Sequence, residues 1–477
     1  MKKKIIQSFA WNATANYVVL FLEFVGTIVL ARLLSPQDFG TIAYLMSVFT
    51  LTFMFISWDE HSYLVQTQND LKGALRSIMT FKLAGSLILV GALSLLYPIL
   101  FPTTAGNHTW LFLCVGVAMT LKHVTTSIKA LYARDIRFKE LSILLLTSTA
   151  LSFAAALIVA FNGLGIWALL LFTITPNIIK SAYLLMRSPT KLRLAFSRRD
   201  FRRFFDYAKY NIATSILNRT NERADDVTVK HLVGTGALGL YSQAYTLSGL
   251  FSKFTIGSIG RVAASVFAKF QNNKRVLQRN YNVLCALVMR IVLFLYVPFF
   301  LLAKEAIVIV YGAKWAPMTT IAQIMVLYAL LLPYRQLHIN LNKHVGLPKN
   351  VAAAKTVEFA GFAIVLIPAT LIAGAEGAAM AVNLGMVAGI VELLRRTRRI
   401  VSLNLKRVIV NPVIAGAGSA AVHLLVRNHI SFSQQLTSFI THALIIGVSY
   451  IIILALMEKS RLFWMIRQVK MLRKKTS

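Results

Sequence analysis

The chain has 477 residues, of which 57% are hydrophobic and only 14% charged. Soluble domains usually carry about 25% charge, so this composition argues against an ordinary cytosolic enzyme, and its apolar richness excludes intrinsic disorder. Lys and Arg number 51 against 17 Asp and Glu, a formal charge of +34. On a soluble protein that would point to nucleic acid, so the position of the charges decides what they mean.

The apolar residues fall in blocks near the roughly 20 residues that a helix needs to cross a hydrocarbon core. In chain order they predict spans over 9–34, 39–57, 75–97, 110–130, 141–161, 166–186, 208–233, 240–258, 282–302, 318–337, 352–373, 378–394, 408–426 and 436–457. The expected fold class is all-α, a polytopic membrane protein of about 14 transmembrane helices. Lys2, Lys3 and Lys4 ahead of an apolar stretch imitate a signal peptide. However, Asn12, Asn16 and Glu23 interrupt the stretch and no small-residue cleavage site ends it, so an uncleaved first span is expected.

Basic residues crowd the loops after even-numbered spans, whereas the opposite loops hold only Lys304, Lys314 and Arg427. The positive-inside rule then places both termini in the cytoplasm. Bases facing anionic headgroups account for most of the net charge, and nucleic acid is not an expected partner. Cys114 and Cys285 lie in separate spans with no disulfide or metal spacing and read as packing residues.

The most basic loop, 187–207, divides the chain. The expected domains are an N-terminal six-helix lobe (1–186), a basic cytoplasmic linker (187–207) solvated beside the inner leaflet, and a second six-helix lobe (208–394). A terminal helix pair (408–457) and a basic tail (458–477) follow. The two lobes match at an offset of 199: Trp11-Asn12 with Tyr210-Asn211, Glu23 with Glu222, Leu33-Leu34 with Leu232-Val233, and Gly40 with Gly239. An even number of spans between copies gives a parallel pseudo-two-fold repeat, with a substrate site expected between the halves.

Spans 1 and 7 each carry a polar face. Asn12, Asn16, Glu23 and Thr27 have the same spacing as Asn211, Ser215, Glu222 and Asp226, and positions three, four and seven apart share a helix face. Arg219, Arg223 and Lys230 join the second stripe. Charge at mid-bilayer is costly, so these stripes are expected to face each other across a central cleft. The alternative is a structural ion network in which Arg219, Glu222, Arg223 and Asp226, beside Lys230, neutralise one another. Glu23, Glu222 and Asp226 are also candidates for proton or sodium coupling; no other cofactor and no metal is expected.

Further charges inside spans are Lys82, Lys180, Lys253, Arg290, Arg335 and Glu358. Lys180 and Arg335 sit near inner ends and are expected to snorkel; Arg290 lies nearer mid-span. The basic excess suits an anionic substrate, because Arg clamps phosphate bidentately. Pro298, Pro333, Pro368 and Gly361 are candidate kinks. His231 and His338 read as packing or interfacial residues. There is no phosphate-binding loop or zinc-binding His pair, and the outer loops around 98–109 and 303–317 are short for a catalytic domain. An enzyme is therefore not expected.

The segment LARLLSPQDFGTIAY (Leu30–Tyr44) resembles the first helix–turn–helix of Wzx-type polysaccharide flippases, members of the multidrug/oligosaccharidyl-lipid/polysaccharide exporter superfamily. GALGLYSQAYTLSGL (Gly236–Leu250) is similar to that family too, near its colanic-acid and exopolysaccharide exporter branch. The resemblance implies a bacterial inner-membrane protein that moves undecaprenyl-diphosphate-linked oligosaccharide across the membrane by alternating access, for exopolysaccharide, O-antigen or capsule (lipopolysaccharide-type) assembly. Membrane lipids and the polysaccharide polymerase machinery are the implied partners. By location and chemistry, Arg219, Arg223 and Arg290 would meet the diphosphate, with Asn12, Asn16, Asn211 and Asn218 donating hydrogen bonds. The competing readings are a cation-coupled multidrug antiporter, a membrane glycosyltransferase or polymerase, and a peptidoglycan-precursor flippase.

Overall fold

The computed structural model describes residues 2–67, 70–100, 109–188, 194–429 and 435–458. Among these residues every regular element is helical, as apolar segments require where no water can take up backbone polar groups. The long helices are α1 (Lys2–Leu33), α2 (Pro36–Phe53), α4 (Leu71–Leu100), α5 (Thr109–Arg134), α6 (Phe138–Phe161), α7 (Ile166–Met186), α8 (Arg198–Leu232) and α9 (Thr235–Phe270). They continue with α10 (Lys274–Leu301), α12 (Thr319–His344), α13 (Pro348–Thr397), α14 (Asn411–Arg427) and α15 (Gln435–Met457), and short helices α3 (Glu60–Gln66) and α11 (Ala303–Tyr311) are interposed. Each predicted span has a helix. Among the described residues eleven helices are long and apolar enough to cross a membrane; α8 and α9 stand outside that set. The protein is a multi-pass membrane protein.

The predicted spans 352–373 and 378–394 both fall in α13, which breaks at Ala373 and Gly374, where Gly374 takes φ +58°. No break occurs at the expected kinks: the helices run on through Pro298, Pro333 and Pro368. Gly361 serves close packing instead. A Cβ there would meet Ala388 Cβ at 3.4 Å, and one on Gly389 would overlap Glu358, so small residues let the two halves of α13 lie against each other.

The predicted linker is only partly a linker. Residues from Arg198 onward are already α8, capped by Ser197, whose hydroxyl accepts from Asp200 N at 3.3 Å. Phe204 and Ala208 are fully buried against α3 and α4, and Trp58 lies within 6.2–6.4 Å of the Phe201 and Phe204 rings. The apolar residues between the arginines, spaced for one helical face, dock this segment. On its exposed side Lys209 donates to Asp206 at 2.9 Å, and this holds the Asp206 carboxyl below the usual carboxylate range. Linker residues 189–193, the outer loop over 101–108 and the basic tail from 459 onward lie outside the described residues.

Two compact units emerge from packing: Met1–Gln243 with Ile364–Ala378, and Ala244–Ala363 with Ala379–Ser477. Packing therefore places α8 with the first six spans, whereas the sequence repeat places it at the start of the second lobe. Within the first unit α2 opens on a capping box: Ser35 N donates to the Asp38 carboxylate at 2.9 Å, Asp38 N donates back to Ser35 Oγ at 3.3 Å, and Pro36 fills the first turn. Helices α2 and α9 meet there main chain to main chain. A Cβ on Gly40 would overlap the Thr235 carbonyl, and one on Gly239 would overlap the Pro36 carbonyl. Gly40 and Gly239, and likewise Pro36 and Thr235, are 199 residues apart. The contact is reciprocal, as a two-fold relation between repeat copies demands.

Candidate functional site

The polar face of α8 divides into a braced part and an open part. Asp226 is buried; its Oδ2 accepts from Ser47 Oγ at 2.6 Å and from Arg223 Nη1 at 3.0 Å. Its neighbour Asp225 is also buried and accepts from the Tyr241 hydroxyl at 2.6 Å. The Lys230 ammonium lies 4.7 Å over the Tyr44 ring, and the Tyr44 hydroxyl is 2.9 Å from His231 Nε2. These contacts fasten α8 to α2 and α9, so Asp226 and Lys230 fit the structural-network reading. Asp225 escaped the sequence reading; its only signal is an aspartate doublet in a membrane-length segment. Arg219 and Glu222 are largely exposed and 3.7 Å apart, while Asn211 and Asn218 are half-buried.

The second unit neutralises its buried charges. Arg290 donates through Nη2 to both Glu458 oxygens, at 2.6 and 2.7 Å, and Asn411 Nδ2 adds a bond to the same carboxylate at 3.2 Å. Arg290 is thus held inside the second unit by Glu458. Arg335, expected to snorkel, is half-buried and paired with Glu358, which Lys355 also approaches at 3.3 Å.

The first unit assembles something different. Helices α1, α3, α5, α6 and α7 line an open cavity of about 280 Å³ whose polar lining includes Asn12, Asn16, His61, Lys122, Lys129, Asn177 and Lys180. Lys122, Thr125, Thr126 and Lys129 recur at helical spacing and share one face of α5; Asn177, Lys180, Ser181 and Leu184 do so on α7. Thr125 and Ser181 hydroxyls, 2.9 Å apart and buried, tie these faces together. Asn16 donates to Asn12 Oδ1 at 2.8 Å, closing the α1 side. No Asp or Glu lines the cavity among the described residues. Lys180 therefore faces a polar cavity, where snorkelling was expected.

Lys122 stands near the middle of the 26-residue α5. At 1.5 Å per residue that is about 18 Å from either end, beyond the reach of a snorkelling lysine. Its neighbour His123 is fixed on the other side: the ring stacks on Phe53 at 4.7 Å, and the carbonyl accepts from Lys82 at 3.1 Å. Lys82 itself is buried in an ion pair with Glu60 of α3. The positive field at Lys122 comes from Arg219, Arg223 and Lys129; Lys180 feels Lys129, Lys122 and, oppositely charged, Glu23. The predicted stripes do not form a direct pair. Helix α1 packs chiefly on α6, and α8 on α2 and α4, while the lysines of α5 and α7 interact with charges from both α1 and α8. Lys122 and Lys129 were not singled out from sequence, although a spacing of seven in an apolar helix is a readable signal.

An all-helical membrane bundle with an internal repeat and a basic intramembrane cavity defines a carrier-type architecture. The chain belongs to the polysaccharide biosynthesis protein family, whose model matches residues 29–320, a stretch that includes both signature segments. It is 22% identical over 317 residues to the succinoglycan biosynthesis transport protein ExoT of Rhizobium meliloti (strain 1021), covering 66% of this chain and 64% of that protein. The match thus spans slightly less than two thirds of that relative. The lipopolysaccharide biosynthesis protein WzxC of Escherichia coli (strain K12) is 20% identical over 338 residues, covering 69% and 68%. Among solved structures, the lipid II flippase MurJ in an inward-closed conformation superposes with a TM-score of 0.75 at 17% identity, covering 94% of this chain and 99% of that one. An inward-facing multidrug resistance MATE family transporter gives 0.61 at 13% identity, covering 81% and 98%. These likenesses establish the fold, and the family is the one anticipated from Leu30–Tyr44 and Gly236–Leu250.

Proposed function

We propose that the protein is a flippase that carries undecaprenyl-diphosphate-linked oligosaccharide across the bacterial inner membrane, with both termini cytoplasmic, for surface polysaccharide assembly. The observation that carries this reading is the set of cavity lysines without lining carboxylates in a member of a polysaccharide biosynthesis family. Such a site repels organic cations, which weighs against multidrug antiport, and attracts a headgroup bearing negative phosphates. Arg219 and the exposed part of Arg223 extend the basic surface; Asn12, Asn16, Asn211 and Asn218 supply hydrogen bonds suited to sugar hydroxyls. Arg290 has no place in this scheme because Glu458 engages it. The two repeats would expose the headgroup to each side in turn, the prenyl chain remaining in lipid. Glu23 and Glu222, exposed on equivalent faces, are the proposed coupling carboxylates for a proton or sodium gradient.

Purified full-length protein in proteoliposomes carrying a fluorescent prenyl-diphosphate oligosaccharide provides the test. Protein-containing vesicles should expose inner-leaflet substrate to an external quencher faster than empty ones, and Arg219→Ala should slow this while leaving Tm unchanged. Exposure no faster than in empty vesicles would overturn the proposal.

A further inference from the structure

A proline inside a helix carries no N–H, so the carbonyl four residues earlier loses its partner. In hydrocarbon no water replaces that bond, and a neighbouring side chain has to. Pro176 lies inside α7 and Pro333 inside α12, which frees the carbonyls of Phe172 and Ala329. Each is met from a different helix: Ser152 Oγ of α6 donates to Phe172 O at 2.8 Å, and Ser252 Oγ of α9 donates to Ala329 O. Both serines are fully buried. Hydroxyls in apolar helices often bond back to their own chain one turn earlier, as Thr120, Thr125 and Thr173 do here. Ser152 and Ser252 reach across instead, each to the carbonyl that a proline has released.

The two helices differ beyond their prolines. In α12 the residues after Pro333 are braced: Arg335 pairs with Glu358, the Tyr281 hydroxyl is 2.6 Å from His338 Nε2, and Asn342 donates to Thr397 at 2.9 Å. The free volume beside Pro333 is about 10 Å³, room for about one water. In α7 the fixed part comes first. A Cβ on Gly26 of α1 would overlap the Phe172 ring, so that ring sits in a notch. After Pro176, the residues Asn177, Lys180, Ser181 and Leu184 face the cavity of about 280 Å³, and Ser181 is tied to Thr125 by a pair of neutral hydroxyls. This segment has a ladder bond missing at its root and open volume along its face, and prolines are where helices bend sharply.

We propose that α7 is a latched hinge. The Ser152 hydroxyl on Phe172 O holds the helix straight, and its release lets the segment from Pro176 to Met186 swing into the cavity and narrow it. Helix α12 carries the same serine bond on a braced segment and stays straight. The hinge is a property of the helix whatever the cargo, so it goes beyond the flippase reading without resting on it.

Double electron–electron resonance on purified full-length protein, with Cys114→Ala and Cys285→Ala as background, provides the test. Spin labels on Leu87→Cys and Met186→Cys, both exposed positions, report the end of α7 against α4. Labels on Lys343→Cys and Leu444→Cys report the end of α12 against α15. Met186 lies about 15 Å along the axis from Pro176, so a bend of about 20° moves it by about 5 Å. Ser152→Ala should raise the population at the shifted distance about fivefold, the effect of losing one neutral hydrogen bond. In a Pro176→Ala background the helix supplies its own N–H to Phe172 O, and Ser152→Ala should then change nothing. Ser252→Ala should lower Tm while the α12 distance stays single. An α7 distance unmoved by Ser152→Ala, or moved equally with Pro176→Ala present, would overturn the hinge. So would a Ser152→Ala protein that fails to fold even with Pro176→Ala, because Ser152 would then be a packing residue. Bending of α12 in Ser252→Ala as large as that of α7 in Ser152→Ala would overturn the contrast that assigns the hinge to α7.

Discussion

The basic residues of α10 and α12 and those of α5 and α7 have the same formal charge and opposite circumstances. Arg290 is buried and Arg335 half-buried, and each meets a carboxylate. Lys122, Lys129 and Lys180 open onto a cavity that no carboxylate lines among the described residues. A buried pair is a self-contained solution to the cost of desolvation; an open, unbalanced row is unfinished without something negative. Charge count within spans is therefore a poor guide to function; neutralisation is the discriminating property.

The paired arginine of the second unit should respond most strongly to substitution. Glu458→Ala strands the Arg290 guanidinium in the second unit and should cost about 3–5 kcal/mol, read as a collapse of the monodisperse peak in detergent and a large drop in Tm. The double variant Arg290→Met with Glu458→Leu should recover most of that loss. A Glu458→Ala protein as stable as the original would show that the pairing is incidental. Next in size, Gly40→Leu and Gly239→Leu each force a side chain into a facing carbonyl and should cost about 1–3 kcal/mol. Because one separation of α2 from α9 relieves both overlaps, the double variant should cost clearly less than the sum; full additivity would dissolve the reciprocal contact.

At the unpaired end the effects are smaller and reversed in sign. Raising salt from about 0.05 M to 0.5 M shortens the screening length several-fold, so wild-type Tm should rise slightly while a triple variant carrying Lys122→Met, Lys129→Met and Lys180→Met gains less. Equal gains would argue that the lysines do not repel one another. The smallest effect belongs to Asp206. Its carboxyl is held below the ordinary value by Lys209, so any stabilisation is present above the ordinary carboxylate pKa and fades as pH falls through the lowered one. The pair is exposed and screened, and Asp206→Asn should leave Tm unchanged within error, at neutral pH and below.

Much of this architecture was legible before any coordinates, because a hydrocarbon solvent permits few solutions. Span length, the break at Ala373–Gly374 and the S-P-x-D helix start at Ser35 follow from local rules. What escaped was long-range. Glu458 reads as the first residue of a basic tail, and nothing local says that it returns to Arg290 far upstream. The arginine-rich stretch after Ser197 looks like a solvated linker until its phenylalanines find Trp58. Lys122 and Lys129 were visible as charges, yet only the packing of α1, α6 and α7 around α5 shows that they share a cavity with Lys180. The reciprocal glycines were visible as an aligned pair, though not as a place where backbones touch.

The glycine seam has one more consequence. With peptide groups resting directly on peptide groups, there are no rotamers to adjust and no side-chain reach to soften a partial withdrawal. Parting by even an ångström forfeits the close contacts together. That corner of the molecule should behave like a snap fastener, shut or undone, with scarcely any population caught halfway.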